Sequence, residues 1–209
     1  MERMLEELCQ SAQSFYDRGY AFGATGNLSV RIGEHMWITP TGKPLKGLTP
    51  ANLAQIDPQG RPLNGNRPSK EYPFHLGLYR RRPEAAAIVH LHSTYSVALS
   101  CLAALDEEKP LPAITPYYFM RVAPLGIVPY HRPGSTELAQ AVEQAAARHA
   151  CLLLRNHGLI TSGATWTEAV DRAEELEETA KLYFLLRNER LRELTAGQID
   201  EVRRAVPGA

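Results

Sequence analysis

The segment AAIVHLHS, at residues 86–93, constrains the fold of this chain more than any other. An apolar run that leads into His-x-His is typical of a β-strand that carries two histidines at its end. Side chains alternate across a strand, so His90 and His92 share one face, with their backbones about 6.5–7 Å apart. Two imidazoles placed in this way can bind one metal ion, although surface or hydrogen-bonded pairs of this kind are also common. The segment therefore predicts a strand that supplies half of a metal site.

Two further residues are candidates for completing such a site. His157 lies far downstream in RNHG, and Glu71 lies upstream in PSKEYPFH. Together with His90 and His92 they offer three nitrogen ligands and one oxygen ligand. This set suits zinc or a similar divalent ion.

The bulk composition predicts one globular domain over residues 1–209. The chain is 44% hydrophobic and 22% charged, which allows one sizeable core. Its 23 basic and 23 acidic residues give a formal net charge of +0, so no overall field favours nucleic acid or an anionic membrane. No apolar run approaches the ~20 residues of a membrane span, and the acidic start MERMLEELCQ is unlike a secretion signal. We expect no nucleic-acid or membrane partner and a cytoplasmic location.

Strands and helices alternate along the sequence, which favours an α/β layered fold. The predicted helices are 2–18, 71–82, 93–104, 135–149 and 165–190, and the predicted strands are 28–32, 36–39, 54–57, 86–92 and 150–156. Proline and aromatic residues between 106 and 135 predict short strands joined by turns rather than a helix. The last dozen or so residues, which end in PGA, predict a loosely tied tail.

Three short segments combine small residues with hydroxyl, amide or ammonium donors: ATGNLSV, TPTGKP and PSKE. Glycine lets backbone N–H groups approach a phosphate closely, and the donors can bind its oxygens. Each segment alone is also compatible with a plain turn, and none has the spacing of a P-loop or of GxGxxG. PSK directly precedes Glu71, so a phosphate bound there would lie next to the predicted metal.

Taken together and in order, the motifs GNLSVR, ITPTGKP, the Ser-x-Glu of PSKE, HLH and NHG resemble the class II aldolase/adducin family along almost the whole chain. The resemblance implies a three-layer α/β/α domain with a mixed, largely antiparallel central sheet. It also implies a homotetramer whose sites lie between subunits. By the same resemblance Glu71, His90, His92 and His157 bind Zn²⁺, with Mn²⁺ or Co²⁺ as alternatives, and Asn27, Thr41, Gly42 and Ser69 form a cradle for the substrate phosphate.

Finer features are similar to one branch of the family, whose members decarboxylate 3-oxo-tetronate 4-phosphate. These features are HLHSTYSVALSCL, LPAITPYYFMRV, VPYHRPGS and AEELEETAKLYFLL, and Lys70 stands where sugar-phosphate aldolases have a second serine. The implied reaction releases CO2 and yields dihydroxyacetone phosphate, with zinc as the electron sink for an enediolate and Glu71 as the acid/base. An aldolase or epimerase acting on L-fuculose 1-phosphate or ribulose phosphates is the first alternative. A non-catalytic adducin-like scaffold is the second, although such members lack the metal-binding residues.

The remaining polar and aromatic residues carry weaker signals. Arg121, His131 and Arg132 are candidates for neutralising a substrate carboxylate, with exposed or ion-paired roles as the alternative. Tyr117 and Tyr118 lie near the point where the family brings an aromatic residue from a neighbouring subunit, with packing as the alternative. EELEE at 174–178 predicts an acidic helix face. The three cysteines, Cys9, Cys101 and Cys151, predict reduced core thiols.

Overall fold

A seven-stranded β-sheet forms the middle of the fold in a computed structural model that describes residues 1–205. The strands are β1 (Asn27–Ile32), β2 (His35–Ile38), β3 (Ala54–Ile56), β4 (Ala87–Leu91), β5 (Leu125–Val128), β6 (Cys151–Leu154) and β7 (Gly158–Gly163). Their order in space is β3-β2-β1-β4-β7-β6-β5, so the strand that leads to His-x-His is the central one. Only the pair β5 and β6 is parallel among the pairings of these strands. The predicted mixed, largely antiparallel sheet is confirmed.

Helices cover both faces of the sheet. They are α1 (Glu2–Asp17), α2 (Tyr72–Arg81), α3 (Thr94–Ser100), α4 (Pro116–Arg121), α5 (Thr136–Ala145), α6 (Trp166–Leu186) and α7 (Ala196–Ala205). One buried core contains Leu8 of α1 and Leu176 of α6, and the other contains Phe74 of α2 and Val142 of α5. The α/β/α layering is confirmed. Because both of its faces are covered, every residue of β4 is buried, which explains its continuous apolar run.

Several helix boundaries follow signals that the sequence carries. Gly19, just past α1, has φ +77°, a conformation that glycine adopts at little cost. The side chain of Ser135 accepts a hydrogen bond from the N–H of Leu138 at the start of α5. Thr165 does the same for Glu168 at the start of α6. These two side chains satisfy N–H groups that have no partner within the helix.

The structure corrects the prediction for residues 106–135. A helix, α4, lies where short strands and turns were expected, and β5 is the one strand that the described structure has in that range. Pro116 stands in the first turn of α4, after Thr115 in extended backbone, where its missing N–H costs nothing. The five residues that follow pack between α6 and α7, so tertiary contacts decide the conformation of a segment whose composition suggested otherwise.

Two other elements were not predicted. β7 carries Thr161 and Ser162, which do not suggest a fully buried strand, yet their hydroxyls donate to the carbonyls of Ala169 and Ala150. α7 lies where a loose tail was expected, and Thr195 accepts a hydrogen bond from the N–H of Gln198 at its start. The rest of the predicted tail, residues 206–209, lies outside the described residues.

Smaller differences concern helix lengths and one cysteine. α3 ends at Ser100 rather than near 104, and α6 ends at Leu186 rather than near 190. Cys9 and Cys151 are buried thiols as expected, whereas Cys101 is exposed because it follows the last turn of α3.

Within residues 1–205, no helix combines the length and the apolar composition needed to cross a bilayer. A single domain over 1–209 stays a prediction.

Candidate metal centre

Four different parts of the fold bring the predicted metal ligands together. His90 is near the end of β4 and His92 lies just beyond it, while His157 occupies the tight turn between β6 and β7. Glu71 is the N-cap residue of α2. The ligand atoms of all four side chains lie within 4.8 Å of one another, a group that could hold a metal ion.

Two glycines allow this convergence. A Cβ on Gly158 would collide with the backbone carbonyl of Leu91, so the turn that carries His157 can approach β4 only without a side chain there. Gly26 has φ +77°, and a Cβ at that position would lie 2.9 Å from the carbonyl oxygen of His90. Both the NHG and GNLSVR motifs therefore need glycine for close backbone approach to the histidine strand.

The hydrogen bonds of the cluster leave its ligand atoms facing one another. Nδ1 of His90 lies 2.7 Å from the carbonyl oxygen of Leu159, which can only accept, so Nδ1 carries the proton and Nε2 keeps its lone pair. That Nε2 lies 3.0 Å from Nε2 of His92 and 3.4 Å from Oε2 of Glu71. Nε2 of His157 lies 3.3 Å from Oε1 of Glu71.

Buried polar atoms without hydrogen-bond partners mark the centre of this cluster. Among the described residues, Oε1 of Glu71 and both ring nitrogens of His157 have no hydrogen-bond partner, although the two side chains are only 5% exposed. Orphaned buried polar atoms are costly unless something satisfies them. A cation bound among a carboxylate and three imidazoles would satisfy Oε1 of Glu71 and one ring nitrogen of His157, and this donor set fits zinc.

Charge and burial favour the protonation states that bind metals. Burial lowers the pKa of His92 to about 3, and the neighbouring His90 contributes in the same direction. Burial also lowers the pKa of His157, against the opposing contact with Glu71. For Glu71 burial opposes ionisation, but contacts with His90 and His157 outweigh it and lower the pKa well below its usual range. Neutral imidazoles beside a carboxylate are the ligand forms that metal binding requires.

The three segments with anion-binding composition meet next to Glu71. The N–H of Ser69 donates to the carbonyl of Thr39, and the N–H of Thr41 donates to the carbonyl of Arg67, so TPTGKP runs beside PSKE. The amide of Asn27, at the start of β1, donates to Oε2 of Glu71 at 2.8 Å. Thr41 and Gly42 are exposed, whereas Asn27 and Ser69 are buried.

Lys70 is placed on the metal side of this group. It is exposed, and its side chain lies beside Gly134 in the turn that follows β5. Its positive charge helps to lower the pKa values of His92 and His157. Burial, the neighbouring histidines and Glu71 have larger effects on these pKa values. The charge of Lys70 therefore influences the histidines of the cluster.

The sequence of this chain has counterparts among known proteins. Residues 6–184 match the family model described as Class II Aldolase and Adducin N-terminal domain. The chain belongs to this family. A 3-oxo-tetronate 4-phosphate decarboxylase from Haemophilus influenzae is 45% identical over 198 residues, which cover 94% of each chain. An L-fuculose phosphate aldolase from Methanococcus maripaludis is 36% identical, covering 88% of this chain and 98% of the other.

The fold comparison agrees with this membership of the class II aldolase family. The crystal structure of YgbL from Escherichia coli superposes with a TM-score of 0.93 at 45% identity, and the match covers 97% of this chain and 98% of that one. The fold that the sequence motifs implied is thus confirmed, and the two relatives named above, a decarboxylase and an aldolase, are lyases.

For Tyr118 and Arg121 the structure shows the packed and ion-paired alternatives that the sequence left open, whereas the place of His75 was not indicated. Tyr118 is 4% exposed and packs in the core, and burial raises the pKa of its hydroxyl, whereas Tyr117 is exposed. Arg121 lies 3.4 Å from Asp171 and faces the Tyr117 ring.

His75, which had no spacing signal of its own, is fully buried and forms a hydrogen bond with Asn27. His75 follows Glu71 by four residues, and this spacing could have indicated that the two side chains lie on the same face of a helix.

Glu177 contradicts the prediction that EELEE forms an exposed acidic face. It is buried, and its carboxylate accepts hydrogen bonds from both N–H and hydroxyl of Ser96, from the hydroxyl of Ser93 and from the N–H of Tyr95. These donors lie at the N-terminal end of α3, which follows directly after His92. Glu177 therefore holds the start of α3, and with it the end of the histidine strand.

Glu177→Ala should lower the free energy of unfolding by about 2–4 kcal/mol, because four buried donors lose their acceptor. Thermal unfolding should show a Tm lower by roughly 5–15 °C for a domain of this size. Glu178→Ala, at the exposed neighbouring position, is the matched control and should leave the Tm within about 2 °C, as surface substitutions do. Equal Tm values for the two variants would show that the Glu177 contacts contribute nothing to stability.

Proposed function

We propose that this chain is a metal-dependent lyase that decarboxylates 3-oxo-tetronate 4-phosphate to dihydroxyacetone phosphate and CO2. The observation that carries the proposal is the 45% identity to a decarboxylase of that name over 94% of both chains. The buried cluster of one carboxylate and three imidazoles supports it, because loss of CO2 from a β-keto acid needs an electron sink.

Glu71, His90, His92 and His157 would hold the ion, which we propose is Zn²⁺, with Mn²⁺ or Co²⁺ as alternatives. A divalent cation supplies Lewis acidity, which stabilises negative charge on the oxygen atoms of the substrate. Nδ1–H of His90, donating to Leu159, keeps that ring in the tautomer whose Nε2 faces the ion. Buried surroundings at Glu71 and His157 strengthen each of these electrostatic interactions.

The remaining residues would bind and orient the substrate. Thr41, Gly42 and Ser69 would donate to the phosphate, and Asn27 would do so through the amide N–H that Glu71 does not accept. Lys70 would neutralise the phosphate or the carboxylate. When CO2 leaves, the bond between C1 and C2 breaks and its electron pair flows toward the C3 carbonyl. A proton must then reach C2, and Glu71 would deliver it after leaving the ion and taking up a proton from water.

The same proposal includes assembly as a homotetramer and a location in the cytoplasm. Sites that lie between subunits of a homotetramer would agree with the exposed positions of Thr41, Gly42 and Lys70. The cytoplasmic location stays a prediction.

A panel of four-carbon keto-acid 4-phosphates, scored for CO2 release by the zinc-loaded protein, tests the reaction. A second arm presents L-fuculose 1-phosphate and ribulose phosphates, because the 36% identity to an L-fuculose phosphate aldolase favours an aldolase as the next candidate. Faster formation of an aldehyde or of an inverted sugar than of CO2 would replace the decarboxylase with that candidate. Absence of bound metal and of both reactions would point to a scaffold.

Lys70→Ser tests the choice between decarboxylase and aldolase. A metal ion alone does not neutralise both a phosphate and a carboxylate, so loss of the ammonium should depress decarboxylation about 10–100-fold, which equals roughly 1.4–2.8 kcal/mol. Metal content should stay unchanged. Lys109→Ser, in an exposed loop, should retain wild-type rates. Wild-type CO2 release by Lys70→Ser would remove this lysine from substrate binding.

A further inference from the structure

A chain of five buried polar side chains extends from Glu71 into the layer between β1 and α2. Asn27 Nδ2 lies 2.8 Å from Glu71 Oε2, and Asn27 Oδ1 lies 2.6 Å from His75 Nε2. His75 Nδ1 lies 2.8 Å from the hydroxyl of Ser29, which lies 2.9 Å from the hydroxyl of Tyr79. Each of these residues is at most 4% exposed, so water does not compete for the bonds.

The two elements contribute to this chain through their own periodicities. Glu71, His75 and Tyr79 are spaced by four residues, so they follow one face at the start and along α2. Asn27 and Ser29 are spaced by two residues, so they share the face of β1 that meets that helix. The side chains therefore alternate between helix and strand, and every contact joins the two elements.

The carboxylate fixes the direction of every hydrogen bond in the chain. Glu71 is ionised and can only accept, so the Asn27 amide must present its NH2 group to Glu71 and its oxygen to His75. His75 must then carry its proton on Nε2, which leaves Nδ1 to accept from Ser29. The Ser29 oxygen in turn accepts from Tyr79. Each donor has one acceptor, so the arrangement is complete without a charged imidazole.

We propose that His75 is a positioning residue, which holds the Asn27 amide in the orientation that fixes the Glu71 carboxylate for metal binding. In the opposite orientation, the Asn27 oxygen would face Glu71 Oε2 at 2.8 Å, two acceptors in contact. The NH2 group of Asn27 would then also face the Nε2–H of His75, two donors in contact, so His75 and Glu71 together oppose the rotation. The inference rests on the proposed role of Glu71 as a metal ligand.

Burial supports the neutral state that this role requires. Burial lowers the pKa of His75 to about 3, with a further contribution from His90. The ring also stacks on Phe74 with centroids 4.7 Å apart. A purely structural histidine would need this packing, but it would not need one particular nitrogen to donate to Asn27. The two roles therefore predict different results for substitutions that preserve one nitrogen at a time.

Two substitutions in the full chain separate these roles. In His75→Gln the longer amide reaches the Nε2 position and can still donate to Asn27, whereas in His75→Asn the shorter amide reaches only the Nδ1 position and keeps Ser29. Zinc affinity is measured by competition with a chromogenic chelator. We expect His75→Asn to bind zinc about 10–100-fold more weakly, the range for loss of an outer partner of a ligand, and His75→Gln to lose less than about tenfold.

Each outcome of the titration has a separate meaning. If His75→Gln and His75→Asn bind zinc with equal affinity, either both as tightly as the wild type or both more weakly, His75 has no positioning role. Failure of the wild-type protein to bind about one zinc per chain would instead overturn the proposed metal site. His35→Gln, at a histidine on β2 that contacts Gln55, is the control for general effects of the substitution and should bind zinc as the wild type does.

A measurement on the unaltered protein keeps the inference testable if either variant fails to fold. Long-range proton–nitrogen NMR of the zinc-loaded wild type reports which nitrogen of His75 carries the proton. We expect Nε2–H at neutral pH. A protonated Nδ1 with a bare Nε2, or an imidazolium, would contradict the arrangement, because the Asn27 oxygen would then lose its donor or Ser29 its acceptor.

Discussion

His92→Ala should lose bound zinc and activity together, with kcat/KM reduced by at least about 10³-fold. The Lewis acid is expected to supply several kcal/mol of transition-state stabilisation, and about 4 kcal/mol corresponds to that factor. His92 lies just beyond β4 and contributes an imidazole to the four-ligand group, so its removal leaves two histidines and Glu71. Zinc content by atomic spectroscopy and CO2 release by a coupled assay measure the two quantities on one sample.

The control for this prediction is His149→Ala, which removes an imidazole that lies outside the four-ligand group and whose Nδ1 is 3.2 Å from the Pro124 carbonyl oxygen. That variant should keep its zinc and stay within a few-fold of wild-type activity. Circular dichroism establishes that both variants are folded. A folded His92→Ala protein with a full complement of zinc would remove His92 from the ligand set.

Glu71→Gln should lower kcat by about 10²–10⁴-fold, the usual contribution of a positioned acid/base. The amide keeps the shape of the carboxyl group and an oxygen for the metal, but it cannot exchange a proton with C2 of the substrate. KM should change much less than kcat, because the role proposed for Glu71 is in proton transfer rather than in phosphate binding. Assays at saturating zinc separate this effect from weaker metal affinity.

The matched control is Glu84→Gln, at an exposed residue that pairs with Arg82. It should retain wild-type kcat. If Glu71→Gln at full zinc occupancy turns over at the wild-type rate, the proton comes from another group, and Glu71 serves as a ligand alone.

Much of the metal centre could be predicted because its residues lie in short motifs with local geometric consequences. His90 and His92 share a strand face by the alternation of side chains, and the structure brings Glu71 and His157 to them. The sequence also indicated the turn at Gly19 and the caps at Ser135 and Thr165, since these depend on one or two neighbouring residues.

The features that the sequence did not indicate depend on contacts between distant residues. Glu177 belongs to an acidic run typical of a solvated helix face, and only the position of α3 reveals that it accepts four buried hydrogen bonds. β7 contains glycine, threonine and serine, and its burial follows from its place between β4 and β6. The role of His75 depends on β1, whose residues lie more than forty positions earlier.

The pairing of β4 with β7 places His90 opposite Ile160, and Nε2 of His157 lies close to Oε1 of Glu71 at the start of α2. An ion held by these residues would therefore join the chain at positions 71, 90, 92 and 157, and would act as a reversible cross-link. Such a link removes loop-closure entropy from the unfolded ensemble, as a disulfide does, but chelators rather than reductants would release it. Resistance of this protein to unfolding would then depend on the free zinc concentration of its surroundings.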